Sequence, residues 1–91
     1  MTLGGQEVIA WSFAIGDYSM ECAFQESPPG TITITVRENG TDLESQTFQD
    51  APMDFDAWQK RWDFAMQLRA KYEPRYIAAA RPIYLRLRGG S

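Results

Sequence analysis

The chain has 91 residues, of which 44% are hydrophobic and 13% aromatic, with a formal net charge of −3. That composition excludes a disordered polymer and fits one small domain with a single modest core. The absence of histidine removes His-based triads, the usual neutral-pH proton shuttle and the commonest metal ligand at once, and the one cysteine, Cys22, precludes an internal disulfide.

The mean charge hides a polarity. Residues 1–59 hold ten acidic side chains against the single base Arg37, whereas residues 60–91 hold eight bases and two acids. Such a division allows the basic part to face an acidic surface. No apolar run approaches the ~20 residues that span a bilayer, and the N-terminus lacks a signal-peptide pattern, so the expected location is cytoplasmic or virion-associated, with no membrane partner.

In chain order, Glu7 to Ile15 alternates, with Ile9, Trp11, Phe13 and Ile15 on one face. Tyr18 to Gln25 alternates too, placing Cys22 on a buried face, and Gly16-Asp17 between them suits a II′ hairpin turn. The predicted register sets Ile15 against Tyr18, Phe13 against Met20, Trp11 against Cys22 and Ile9 against Phe24, so that apolar residues meet apolar partners. Ser27-Pro28-Pro29-Gly30 is a turn cluster that stops the second strand. A second hairpin follows from Thr31 around the I′ pair Asn39-Gly40, expected to oppose Val36 to Leu43, Arg37 to Asp42 and Thr35 to Glu44. Beyond Glu44 the alternation fails, since Ser45 and Thr47 would be buried and Phe48 exposed, which predicts a bulge near Gln46 or a strand that peels away.

Asp54 is placed to cap a helix from about Phe55 to Tyr72, with Asp56 in its first turn. Phe55, Trp58, Trp62, Ala65, Met66 and Tyr72 form its sheet-facing stripe, in which Arg69 is an intruder expected to lay its stem on apolar surface. Ala57, Phe64 and Leu68 widen the apolar arc and call for a second neighbour. Glu73-Pro74 predicts the helix end, a short second helix from Arg75 to Arg81 that covers the Phe64 and Leu68 edge with Tyr76, Ile77 and Ala80, and a stop at Pro82. Ile83 to Arg88 then alternates like a fifth, edge strand with outward arginines. The expected fold is α+β over residues 1–91: a four-stranded antiparallel meander of two hairpins, a long amphipathic helix, the short helix and the edge strand, with 1–6 and 89–91 as flexible ends.

No catalytic residue, metal set or cofactor is expected. Asp54 and Asp56 are read as capping groups, and Trp58 and Trp62, one turn apart, as core. The residues fit a non-enzymatic interaction or assembly module, resembling in kind phage structural and assembly proteins. Its partner would be another protein or the chain itself as a homo-oligomer, and its contacts Phe64, Leu68, Tyr76, Arg86 and Arg88. The string Leu85-Arg86-Leu87-Arg88-Gly89-Gly90 resembles the ubiquitin tail. That likeness implies conjugation through Gly90, the end of the Gly89-Gly90 pair, with the two arginines in docking and Ser91 removed. The meander-plus-helix order also resembles single-stranded DNA-binding units of the Pur-alpha kind. Those use basic, aromatic-bearing sheets, whereas this sheet is acidic, so nucleic acid is an unfavoured partner.

Overall fold

The computed structural model describes residues 7–26, 30–49 and 54–89. Four strands, β1 (Glu7–Ile15), β2 (Tyr18–Glu26), β3 (Thr31–Glu38) and β4 (Thr41–Gln49), form one antiparallel sheet in the order β1-β2-β3-β4, and a single helix, α1 (Phe55–Gly89), follows. The turn cluster Ser27 to Pro29, the termini 1–6 and the residues Gly90 and Ser91 lie outside the described residues; Gly89 is the last residue of α1.

Turn chemistry sets both hairpins. Gly16 has φ +57°, with Ile15 paired to Tyr18 across it, while Asn39 and Gly40 both take positive φ (52° and 83°), as a I′ turn requires. Gly16 also has a packing reason to lack a side chain: a Cβ there would stand 3.0 Å from Cγ2 of Ile83 on α1.

The first register holds as far as Trp11 opposite Cys22 and then shifts at a bulge between Ile9 and Trp11. One inserted residue reverses face parity. Ile9 therefore pairs with Ala23 rather than Phe24, and Val8 takes the place opposite Phe24. A bulge in β4 does the same for the second hairpin. Arg37 meets Asp42 as predicted, but the shift between Val36 and Arg37 brings Val36 opposite Glu44 and Thr35 opposite Ser45. The bulge thus falls at Leu43, three residues before Gln46. That early slip restores the sense of the strand: Phe48, opposite Ile32, joins the helix-covered face, while Ser45 and Thr47 go to the open one.

The core lies between one sheet face and α1: Trp11, Met20, Cys22, Phe24, Ile32, Ile34 and Val36 from the strands meet Ala65 and Leu68 from the helix. Ala65 is fully buried, which lets the helix backbone approach closely enough for the Trp11 indole N–H to donate to its carbonyl at 2.7 Å. At the helix start, the Ala57 N–H donates to the Asp54 carboxylate at 2.8 Å, the predicted cap.

The short second helix and the fifth strand are not present. α1 continues through Pro74 and Pro82 for 35 residues. The reason is a seam that does not stop at Tyr72: Tyr76, Ala79, Ala80 and Ile83 continue the sheet-facing positions. Tyr76 stacks on Phe13 with ring centroids 4.6 Å apart, and the same helix lies against Gly16 through Ile83 and Leu87. Pro74, Pro82 and the residues one turn before them, Ala70 and Ala78, are all exposed, so the carbonyls that lose an N–H partner can be hydrated. At 1.5 Å per residue the helix is about 52 Å long, against about 30 Å for a nine-residue strand. It sets the long axis of a 55 × 23 × 19 Å molecule.

Candidate functional site

The two sheet faces differ in chemistry. The open face carries hydroxyls paired across strands, Thr33 with Thr47 and Thr35 with Ser45, each at 3.1 Å. Arg37 sits there among acids, bidentate to Glu7 and 3.2 Å from Asp42. Those acids hold the guanidinium well above its ordinary pKa, with the Glu7 hydrogen bond as the largest cause, and the same bond lowers Glu7. Among the described residues, no aromatic side chain lies on this face: Trp11, Phe13, Tyr18, Phe24 and Phe48 all belong to the helix side.

On the helix side, much of the charge polarity is spent within the chain. Glu38 accepts two hydrogen bonds from Arg75, both 3.0 Å, and one from the Tyr18 hydroxyl at 2.5 Å. Arg75 first and Tyr18 second hold the Glu38 carboxyl down at about 2, while burial, then Glu38, pushes Tyr18 up to about 12. Glu44 accepts from Tyr72 at 2.6 Å and Lys71 at 2.9 Å, which lowers its pKa in that order. Cys22 is fully buried and its thiol is pushed up to about 11, chiefly by desolvation, so it is packing material.

These carboxylates predict acid sensitivity. A group with a depressed folded pKa contributes stability that is complete above its unfolded value, here about 4.5 for Glu38, and is lost as pH falls toward about 2. Thermal melts from pH 6 to pH 2 should show Tm falling mostly below pH 5. Glu38→Gln should lower Tm at pH 6 and flatten the decline; an equally steep decline in that variant would exclude Glu38 as a contributor.

The residues expected to make contacts are dispersed. Leu68 is 5% exposed and belongs to the core, and Phe64 is half-buried, edge-on to Phe48 at 5.3 Å between centroids. Tyr76, Ile77 and Ala80 do not cover these two: they lie two to four turns further along the same helix, where Tyr76 packs on Phe13 and Tyr18. Phe55, predicted for the sheet-facing stripe, is 70% exposed and stacks on Trp58. Arg69 lies over the Phe13 ring, 5.6 Å from its centroid, with Glu73 3.7 Å away. Arg86 and Arg88 are exposed, in helix rather than on an outward strand face. Leu85 to Gly89, the ubiquitin-like string, is helical too, and Gly90 lies outside the described residues.

The last turns of α1 leave both apolar and basic side chains exposed. Ile77 (50% exposed), Tyr84, Leu85 (59%) and Leu87 (61%) stand beside Arg81, Arg86 and Arg88. A shallow apolar groove of about 290 Å³ runs between Ile15, Tyr76, Ile77, Ala80, Arg81 and Tyr84. Among the described residues, these three arginines pair with no carboxylate; Arg88 donates to the Tyr84 hydroxyl at 3.3 Å. No helix is long and apolar enough to cross a membrane, and no group of three or more metal-ligating side chains forms among the described residues. No protein-family model, curated protein or solved structure gives a significant match to the chain.

Proposed function

We propose that the chain is a non-enzymatic protein-interaction module that binds through α1. The observation that carries this reading is the set of large apolar side chains, Ile77, Tyr84 and Leu85, exposed at the flanks of the α1 face turned away from the sheet. Ile77, Tyr84 and Leu85 flank the arc that carries Arg81 and Arg88, and exposed apolar surface beside charge is a signature of a protein contact. The contact surface is thus displaced from the Phe64 and Leu68 edge, which the sheet occupies, to the helix end that bears Arg86 and Arg88.

A photo-crosslinking amino acid substituted at Leu85 tests this, with one at Thr33 on the open sheet face as control. Adducts, to the chain itself or to another protein, are expected from position 85 and not from 33. Absence of any adduct from position 85, in purified protein and in extract of the source cells, removes the reading.

A further inference from the structure

The face of α1 turned away from the sheet has an order of its own. At 3.6 residues per turn, positions 56, 63, 70, 74, 81 and 88 fall within about 40° of arc. That arc lies opposite the one containing Ala65, Tyr72, Tyr76 and Ile83. All six residues are exposed, and in chain order they read Asp56, Asp63, Ala70, Pro74, Arg81 and Arg88: two acids, two small residues, two bases. Among the described residues none of the four charged groups has an ion-pair partner.

This pattern is complementary to its own reverse. A second helix laid antiparallel, with the two-fold at Tyr72, sets Asp56 against Arg88, Asp63 against Arg81 and Ala70 against Pro74. A parallel copy would set acid on acid and base on base. The flanks agree with the antiparallel register: Met66 falls opposite Ile77 on one side, and Gln67 opposite Ala78 on the other. Asp56, Gln59, Lys60 and Asp63 surround a polar hollow of about 260 Å³, and the hollow lined by Pro74, Ile77, Ala78 and Arg81, about 540 Å³, is largely apolar.

We propose that this face is occupied by a second copy of the chain, docked antiparallel across a two-fold at Tyr72, with Asp56–Arg88 and Asp63–Arg81 pairs each formed twice. The inference rests on the reading of α1 as the binding element and adds the partner and the register. Small residues at the centre, Ala70, Pro74 and Ala78, let the two axes approach, and the two sheets lie on the outside, clear of each other. The contact is isologous, so it closes at the dimer and does not propagate. Its charged pairs are solvent-exposed, which makes the association sensitive to salt.

The test is light-scattering mass of the purified chain at 100 µM, in roughly 0.1 M and 1 M salt, with two charge-reversal variants. The wild type is expected to be a dimer at low salt and to dissociate at high salt. Arg81→Glu/Arg88→Glu and Asp56→Lys/Asp63→Lys should each raise the dimer dissociation constant roughly tenfold or more, because like charges then face one another. Mixed in equal amounts, the two variants should form a heterodimer, since every pair is opposite in sign again. Unchanged circular dichroism would show that both variants are folded. A wild type monomeric at low salt, a dimer indifferent to both reversals, or a mixture that stays monomeric would each overturn the proposal. Should crosslinks from Leu85 to a different protein persist in that case, the interaction reading stands and only the self-pairing falls.

Discussion

Replacing Leu68 with lysine is expected to unfold the domain. Leu68 is 5% exposed and packs in the cluster that contains Ile34, Val36 and Ala65. Truncating such a leucine costs about 2–5 kcal/mol, and burying an unpaired ammonium adds several more. A domain of this length has a total stability of about 5–13 kcal/mol, so the single change consumes most of it. Phe64→Lys should be milder, about 1–3 kcal/mol, because Phe64 is half-buried and a lysine stem can follow the same path while its head reaches water. Urea unfolding followed by circular dichroism separates the two. A folded Leu68→Lys with a near-wild-type midpoint would place Leu68 outside the core.

Replacing Pro74 with alanine is expected to stabilise the domain by about 1–3 kcal/mol. A proline inside a helix removes one backbone hydrogen bond and clashes with the preceding turn, at about 3 kcal/mol. Part of that is offset because proline restricts the unfolded chain. The two readings of this segment diverge sharply here. Were Pro74 the first residue of a separate helix, its missing N–H would cost nothing and the substitution would be nearly neutral. In a continuous α1 the gain should appear as a higher urea midpoint with an unchanged slope. A neutral or destabilising result would argue that the helix is broken at Glu73. The prolines persist in α1 because the surrounding burial outweighs them: Tyr76 on Phe13 and Tyr18, Ala80 in the interior, and Ile83 against Gly16.

Local chemistry was legible wherever a residue acts on its own neighbours. Gly16, Asn39 and Gly40 announce their turns because positive φ is costly for other residues, and Asp54 announces the helix start because a short carboxylate reaches the N–H of Ala57. The two bulges were less legible. An extra residue at Ala10 or Leu43 leaves the amino-acid alternation intact locally and shows only as a parity error further on. Phe48 is that error for β4, and the bulge that causes it lies at Leu43.

The candidate site was harder still. Leu68 reads as the margin of an apolar arc, and only the packing of α1 on the sheet makes it core. Glu38 and Glu44 look like ordinary surface carboxylates until Arg75, Tyr72 and Lys71 arrive from the helix. The sequence signal for the continuous helix is the spacing 58, 62, 65, 69, 72, 76, 79, 83 and 87, which runs without interruption past both prolines.

The meander, both turns, the helix cap and the acidic-to-basic polarity follow from the order of the amino acids, because each depends on torsions, period and composition within a few residues. That the chain from Pro74 to Gly89 is helix and not strand, and which charges pair within the described residues, depends on long-range packing. Local propensity at Pro74 and Pro82 argues for a break, and the burial of Tyr76, Ala80 and Ile83 against β1, β2 and their turn outweighs it.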